Sequence, residues 1–250
     1  MSRAFTIGRM TATQTLGVKR FLGLGLLTGS PAGIFVLASS GSSADGLVEI
    51  FVGLTIGVFF SVSLPVVSLI MASSALGDER RDGTLSFIVL RPISRNAIAT
   101  AKLGGAMATS FGLTGAGALA LGVLMGVRSG EWGYVAPILV GAFIATACYV
   151  SVFLPLGYLT ERATLIGLAF VFIWESAIAG TLPALATSSP WRIGFSAFLD
   201  LAPEEVRRDV PDFALGDLVP GVGGSTLKML VIAALATLLT GWILRTRDLA

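Results

Sequence analysis

Two long stretches of this chain contain no charged residue, and they limit its possible folds more than any other feature. The first runs from Ile50 to Leu76 and the second from Leu103 to Val127. Each exceeds the roughly 20 residues that a helix needs to cross a bilayer. Because hydrocarbon offers the backbone no hydrogen-bond partners, such stretches fold as helices. The sequence therefore predicts an all-α integral membrane protein.

The composition supports this fold class. Hydrophobic residues make up 54% of the chain, charged residues 13%, and the mean hydropathy is +0.86. A water-soluble domain of 250 residues needs more charges than this to cover its surface. Most apolar side chains must therefore face lipid or other helices. The net charge of +2 is too small to indicate nucleic-acid binding. We therefore expect membrane lipid, and no nucleic acid, around this protein.

Six apolar stretches are long enough to be spans, which predicts one transmembrane domain over residues 1–250. An interfacial helix in residues 1–20 is expected before the first span. An external loop of residues 186–226, with interfacial helices, is expected before the last. The expected spans are Phe21–Ala38, Ile50–Leu76, Leu103–Val127, Tyr134–Thr160, Ala163–Leu185 and Leu227–Leu244.

The distribution of Arg and Lys predicts the orientation. Six spans place both termini on one side, and cytosolic segments of membrane proteins carry an excess of Lys and Arg. Most basic residues of the chain, Lys102 among them, then lie on the cytosolic side. The exceptions are Arg128, Arg192, Arg207, Arg208 and Lys228. We expect a multi-pass protein of the cell (inner) membrane with both termini in the cytosol.

Glycine, proline and the external loop carry further local signals. Small residues at four-residue spacing let membrane helices approach closely, and Pro31 and Pro65 are expected to bend or break the first two spans. In the external loop, Ser189 and Pro203 each mark the start of a short helix. The small-residue sets are Gly53 with Gly57, Gly122 with Gly126, and Gly104 with Ala108 and Gly112. The expected outer-interface face comprises Trp191, Phe195, Phe198 and Leu199, and the expected flexible linker is Gly221 to Thr226.

A dense segment of mixed charge separates the second and third spans. From Gly77 to Arg95 it reads GDERRDGTLSFIVLRPISR. Asp82 or Thr84 can cap a helix N-terminus, and Pro92 stops a helix from the other end. Between them one apolar stripe is formed by Leu85, Ile88 and Val89. Such a helix can insert into a groove on another protein or lie on the lipid headgroups, and its pattern leaves both open.

This segment, in its position between the second and third spans, resembles the first cytosolic loop of ABC-2 type transporter permeases. The end of the chain, Arg245 to Leu249, is also similar to the basic cluster and Asp-Leu that close many of them. The resemblance implies a dimer with a second permease copy or a paralogue, and two separate ABC ATPase subunits beneath it. ATP and Mg would be bound by those subunits, so this chain would hold no cofactor and would not be catalytic by itself.

The same resemblance implies a function and a set of contact residues. The chain would be the permease subunit of an ATP-driven transporter that exports a hydrophobic or amphipathic substrate by alternating access. The coupling loop of residues 77–95 would dock on the ATPase. The contact positions would be Asp78, Glu79, Arg80, Asp82, Gly83, Thr84, Leu85 and Ile88. The family exports drugs, peptides, lipids and lipid-linked glycans, and nothing in the sequence selects among them.

Other classes of function find less support in the residues. Histidine is absent and Cys148 is the single cysteine, so an intramembrane enzyme would lack a nucleophile–base pair and a metal site is not expected. No GxxxxGK[ST] nucleotide-binding loop occurs. A secondary transporter or channel not driven by ATP remains the alternative. Its signature would be intramembrane charges and broken helices in two related halves, and no convincing repeat is present.

Glu175 is the ionisable residue that the sequence places deepest in a span. A carboxylate at that depth costs on the order of a few kcal/mol, so it usually faces a bundle interior, a partner or a water-filled path. We therefore name Glu175 as a candidate residue of the substrate path. A structural hydrogen bond to another helix and a position nearer the interface remain open.

Overall fold

In a computed structural model, the chain is described over residues 17–83, 93–178, 188–210 and 220–246, without the side chains of residues 175–178. All regular elements in these ranges are helical, and we number them in chain order. They are α1 (Val18–Ala38), α2 (Ala44–Arg81), α3 (Arg95–Ser129), α4 (Val135–Leu159), α5 (Ala163–Ala169 continued by Phe170–Ile178), α6 (Pro190–Leu201), α7 (Glu204–Asp209) and α8 (Gly221–Thr246).

Five of the helices in these ranges, α1 to α4 and α8, are long and apolar enough to cross a membrane. They coincide with five of the predicted spans and confirm the fold class of an all-α integral membrane protein. α5 begins at Ala163, as predicted for the remaining span. The expected continuation of that span to Leu185 lies outside the described residues after Ile178, as do residues 1–16 of the expected interfacial segment.

Helix α4 lies at the centre of the bundle and packs against α2, α3, α6 and α8. Of its most apolar window, 78% is buried inside the protein, compared with 22% for α8. A helix that is apolar on all sides suits a position surrounded by other helices. α4 is therefore the central helix of the bundle.

Glycines allow the closest contacts of α4. A Cβ at Gly157 would collide with the backbone of Ser73 in α2, and a Cβ at Gly141 would lie 2.9 Å from the carbonyl oxygen of Gly194 in α6. Gly126, which the sequence indicated, lies close to the ring of Trp132 in the turn between α3 and α4. At Gly157 and Gly141 the helix backbones can approach because no side chain separates them.

The other small-residue sets do not pack within the described part of the chain. Among the described residues, no atom beyond the glycine's own stretch of helix lies within 4 Å of where a Cβ would stand at Gly53, Gly57, Gly104 or Gly112, and Ala108 is exposed. These positions therefore make no close helix contact within the described part of one chain, and close approach of helices there stays a prediction. A four-residue spacing places small residues on one face of a helix but does not say whether that face is turned inward.

Helix α2 changes from α to π geometry over Thr55–Ser63, directly before Pro65. Proline has no N–H to donate, and its ring crowds the preceding turn. Within this segment the hydroxyl of Ser61 donates to the carbonyl of Ile56, five residues earlier, at 2.6 Å. The predicted local disruption at Pro65 is confirmed in this form, whereas α1 continues as an α-helix through Pro31.

The predicted external loop contains the two expected helices. The Ser189 hydroxyl accepts a hydrogen bond from the Arg192 N–H at the start of α6, and α7 begins directly after Pro203. The predicted outer-interface face, however, is wrong. Phe195, Phe198 and Leu199 are buried in the main core of the protein. Because α6 crosses α4 at glycines, this face is turned toward α2. There the ring of Phe60 contacts those of Phe195 and Phe198.

The first residues of α8 also differ from the prediction. Gly221 to Thr226 begin this helix and do not form a flexible linker. The N–H of Gly221 donates to the Ser196 hydroxyl at 3.1 Å, and the N–H of Val222 donates to the Asp200 carboxylate at 2.9 Å. α6 thus supplies acceptors to N–H groups that have no partner within α8, and a carboxylate at a helix N-terminus is electrostatically favourable.

Candidate functional site

The segment between α2 and α3 starts with a well-defined helix end. α2 continues to Arg81, so residues 77–81 of the predicted loop are helical. Gly83 then adopts a φ of +67°, the left-handed conformation that commonly ends helices. The N–H of Gly83 donates to the carbonyl of Arg80 at 3.2 Å. Asp82 therefore occupies the C-terminal cap of α2. The short helix that the sequence predicts after it lies in residues 84–92, outside the described residues.

A buried ion pair joins α2 to α3 beside this helix end. The ammonium group of Lys102 donates to the carboxylate of Glu79 and, at 3.2 Å, to the carbonyl of Ala75. Only 1% of the Lys102 side chain and 10% of the Glu79 side chain are exposed. Removing one partner from such a pair leaves an uncompensated buried charge, which is strongly destabilising. The pair therefore holds together the two helices that lead into and out of the loop.

Sequence reasoning missed this pair. It counted Lys102 among the basic residues of the membrane surface and Glu79 among the contacts with a partner. The structure instead directs the Glu79 carboxylate into the bundle. One sequence signal was present, because Lys102 directly precedes an uncharged run and a lysine there needs either water or a carboxylate. Which carboxylate it meets depends on the packing of α2 on α3.

Exposed charges surround the same helix end. Arg20 at the start of α1 contacts Asp78 at 2.9 Å, and Arg81 contacts the same carboxylate at 3.8 Å. These side chains are one-third to two-thirds exposed, so each pair contributes little to stability. Asp78 nevertheless brings the first turns of α1 to the last turns of α2.

Arg80 ties the end of α2 to the end of α4. Its guanidinium donates to the carbonyl of Tyr158 at 2.5 Å and lies 5.5 Å from the centre of the Tyr158 ring. The carbonyls of the last helical turn have no partner within α4, and Arg80 satisfies one of them. A cation over an aromatic face adds a second favourable contact. Arg80 belongs to a group of six residues that we call the charged cluster. They are Arg20, Asp78, Glu79, Arg80, Arg81 and Lys102.

A cavity of about 420 Å³ opens beside the charged cluster, between α1, α2, α4 and α5. It extends along α2 from Arg81 back to Ile70, which is about 16 Å at the rise of an α-helix. Charged residues and hydroxyl groups line most of it. They are Arg20, Asp78, Arg80, Arg81 and Glu161, with Ser73, Ser74, Thr160 and Thr164.

The opposite end of α4 is surrounded by rings. Phe51, Phe60, Tyr134, Phe195 and Phe198 form what we call the aromatic cluster, with ring centres 5.5 to 6.4 Å apart. Burial raises the pKa of Tyr134, and the negative charges of Glu131 and Glu205 act in the same direction, so its hydroxyl stays protonated.

No group of three or more His, Cys, Asp or Glu side chains is arranged to hold a metal ion within the described ranges. Cys148 is buried, as expected for a small apolar side chain. Apart from the buried Glu79–Lys102 pair, the charged cluster offers partly exposed charges, which suit contact with another molecule and not covalent chemistry.

The sequence model of ABC-2 family transporter proteins matches residues 21–178. This range is more than half of the chain and includes the complete segment between α2 and α3. The chain belongs to the ABC-2 transporter family. As such it is a membrane permease of an ABC transporter. No curated protein matches the sequence.

In this ABC-2 permease, four of the eight predicted coupling residues lie together at one helix end. Asp78, Arg80, Asp82 and Gly83 lie together at the end of α2, whereas the carboxylate of Glu79 points inward. Thr84, Leu85 and Ile88 lie outside the described residues. Contact of any of these residues with an ATPase stays a prediction.

Glu175 lies in the second π-helical segment of the permease, Phe170–Ile178. Its side chain is outside the described part of the structure, so its place in a substrate path stays a prediction. The same segment contacts α4 through Phe170, whose ring meets that of Phe153 at 5.9 Å. π-Helical turns within α-helices are frequent at functional sites.

Proposed function

We propose that this permease is the membrane subunit of an ATP-driven exporter and that the segment between α2 and α3 couples it to a separate ATPase subunit. One observation carries the coupling. The Glu79–Lys102 pair joins α2 to α3 beside this segment. A displacement of the loop would therefore move α2 and α3 together and would not bend one helix away from the other.

The surface at this end suits a protein partner. Arg81, Asp82 and Gly83 are exposed and lead directly into the stripe of Leu85 and Ile88 that the sequence predicts. An apolar stripe flanked by charges is the usual form of a helix that docks in a groove. In this proposal ATP and Mg are bound by the partner, and the permease holds neither.

We also propose that the transporter contains two permease subunits, either two copies or a copy and a paralogue. Helices α1 and α8 support this, because only 28% and 22% of their most apolar windows are buried within one chain. Their remaining apolar surface is available to lipid and to a second permease. A path between two such subunits, exposed alternately to each side, would carry a hydrophobic or amphipathic substrate outward.

Purification of a tagged copy from its native membrane tests the first part. We expect a soluble ATPase to co-purify with the chain, two copies of each per complex, and ATP hydrolysis to require that ATPase. Hydrolysis by the purified chain alone would contradict the proposal. Failure to recover any ATPase, while the chain itself is intact and folded, would also contradict it.

A pair of variants tests the docking segment. Replacing Leu85 and Ile88 together with Asp should abolish recovery of the ATPase, because two charges would have to be desolvated in an apolar groove. The control is Trp132→Asp, which places a charge on an exposed apolar position at the opposite end of α4. If the double variant recovers as much ATPase as the control does, docking occurs elsewhere.

A further inference from the structure

The charges that line the cavity beside the charged cluster are unevenly paired. Asp78 of α2 contacts two arginines, Arg20 at 2.9 Å and Arg81 at 3.8 Å. Glu161 lines the same cavity from the turn between α4 and α5 and is exposed. It forms no ion pair among the described residues. One carboxylate of the cavity is therefore shared by two cations, while the other has none.

Of the arginines that line the cavity, Arg81 loses least by changing its partner. Arg80 donates to the carbonyl of Tyr158 at the end of α4, and Arg20 donates a hydrogen bond to Asp78. The 3.8 Å between Arg81 and Asp78 is too long for a hydrogen bond, and the Arg81 side chain is 64% exposed. Such a pair contributes little to stability. If Arg81 leaves, Arg20 still neutralises Asp78.

The turn that carries Glu161 has room to approach Arg81. Both residues border the cavity of about 420 Å³, so the space between α2 and this turn is not closely packed. α5 begins at Ala163, and one turn later it packs on α2 at Gly167, where a Cβ would collide with the side chain of Leu69. The first turn of α5 can therefore tilt about this contact without displacing the packed core beyond it.

We propose that Arg81 and Glu161 form a latch. When Arg81 leaves Asp78 for Glu161, the turn between α4 and α5 moves toward the end of α2 and narrows the cavity. Both carboxylates of the cavity are then paired, because Arg20 stays with Asp78. The structure described here is the open state of this latch.

The position of Arg81 connects the latch to the segment between α2 and α3. Arg81 is the last residue of α2 and directly precedes the exposed start of that segment. A partner bound to the segment would therefore pull Arg81 toward or away from Glu161. This link to a partner rests on the proposed function, whereas the latch itself is a property of the single chain.

Cysteine labelling of the purified chain in detergent tests the latch without any ATPase. Thr164→Cys places a thiol among the residues that line the cavity, and Cys148 is buried, so it adds little background. The probe is a neutral, water-soluble maleimide, and the labelling rate reports how accessible the cavity is. We expect labelling to accelerate as ionic strength rises, because salt screens an exposed ion pair and so favours the open state.

Variants in the Thr164→Cys background locate the latch. Arg81→Gln and Glu161→Gln should each accelerate labelling about two- to fivefold, the range that one exposed ion pair allows. The double variant should label no faster than either single one, because both remove the same contact. Exchange of the charges, Arg81→Glu with Glu161→Arg, should restore slow labelling. Arg162→Gln is the control, an exposed arginine outside the cavity lining, and should change nothing.

The proposal is wrong if neither single variant accelerates labelling, or if the charge exchange labels as fast as the single variants. Opposite effects of Arg81→Gln and Glu161→Gln would show that the charges act on the reactivity of the thiol, and would also overturn it. Melting temperatures show whether each variant is folded. If Arg81→Gln does not fold, Glu161→Gln decides, because it should abolish the salt dependence, and a salt dependence that persists would contradict the latch.

Discussion

The charged cluster and the aromatic cluster lie at opposite ends of α4, and they hold α2 in the bundle by different forces. At the aromatic cluster, rings from α2 and α6 and the ring of Tyr134, which directly precedes α4, meet edge to face or tilted, and α6 crosses α4 through glycines. At the charged cluster, side chains from α1, α2, α3 and α4 meet mainly through ion pairs and hydrogen bonds, beside an open cavity.

The difference between ring packing and ion pairing indicates which end of the permease can change its structure when a partner binds. Ring packing depends on shape, and a well-packed interface has few alternative arrangements of similar energy. Exposed ion pairs can exchange partners at little cost, since each is worth less than about 1 kcal/mol. We therefore expect the exposed ion pairs of the charged cluster to rearrange when a partner binds, while its buried Glu79–Lys102 pair and the aromatic cluster keep their geometry.

The largest effect should come from the buried ion pair. Lys102→Met should lower the free energy of unfolding by about 3 to 5 kcal/mol, because Glu79 would be left buried without its cation. The measurement is unfolding by SDS in mixed micelles. Combining Lys102→Met with Glu79→Gln should recover much of the loss. The control is Glu204→Gln, which breaks an exposed ion pair with Arg208 and should have a small effect. If Lys102→Met has an equally small effect, the Glu79–Lys102 pair does not stabilise the bundle.

Removal of a ring from the aromatic cluster should have the next largest effect on the free energy of unfolding. Phe198→Ala should lower the free energy of unfolding by about 3 kcal/mol, since it removes a fully packed ring and leaves a cavity. Phe172→Ala is the matched control, because that ring is 60% exposed and packs little. The same SDS titration compares the two. Equal effects would show that the aromatic cluster does not hold α6 in place.

The glycine crossing of α4 and α6 gives a smaller prediction. Gly141→Ala should destabilise the protein by about 1 to 3 kcal/mol, because its Cβ would lie 2.7 Å from Cβ of Phe198. Gly53→Ala, at a position with open space, should be neutral or slightly stabilising, as alanine favours helices over glycine. The order of the two melting temperatures checks this, and the reverse order would contradict the crossing.

Replacing Arg80 should lower the free energy of unfolding by about 1 kcal/mol. Arg80→Gln removes the cation over the Tyr158 ring and weakens the hydrogen bond to its carbonyl. The loss of unfolding free energy should persist at high salt, because the hydrogen bond is short-ranged. Arg162→Gln, an exposed arginine just after the end of α4, is the control and should have no measurable effect.

The smallest effect is expected for the exposed pair between Arg20 and Asp78. Arg20→Gln should cost less than about 1 kcal/mol, and the loss should fade as ionic strength rises. Unfolding at low and high salt measures it. A large, salt-independent loss would mean that the charged cluster is as rigid as the aromatic one, which would remove the contrast between them.

Several features of this fold followed from local sequence alone. Apolar runs without charges predict spans wherever they occur, because the cost of exposing backbone to lipid does not depend on the neighbours. Ser189 and Pro203 predicted helix starts because a helix terminus is satisfied by residues close in sequence. The charged segment between two apolar runs likewise identified the family through residues that stand next to one another.

The remaining features depend on which way each helix faces. Successive residues of an α-helix are turned by 100°, so an error of one or two residues in packing turns a buried face outward. The sequence determined that a lysine directly precedes the third span and that a glutamate follows the second, but only the tertiary structure decided that Lys102 and Glu79 meet inside the bundle. It decided in the same way that the ring-bearing face of α6 packs inward, because Gly194 and Gly141 let two helices cross that no sequence spacing connects.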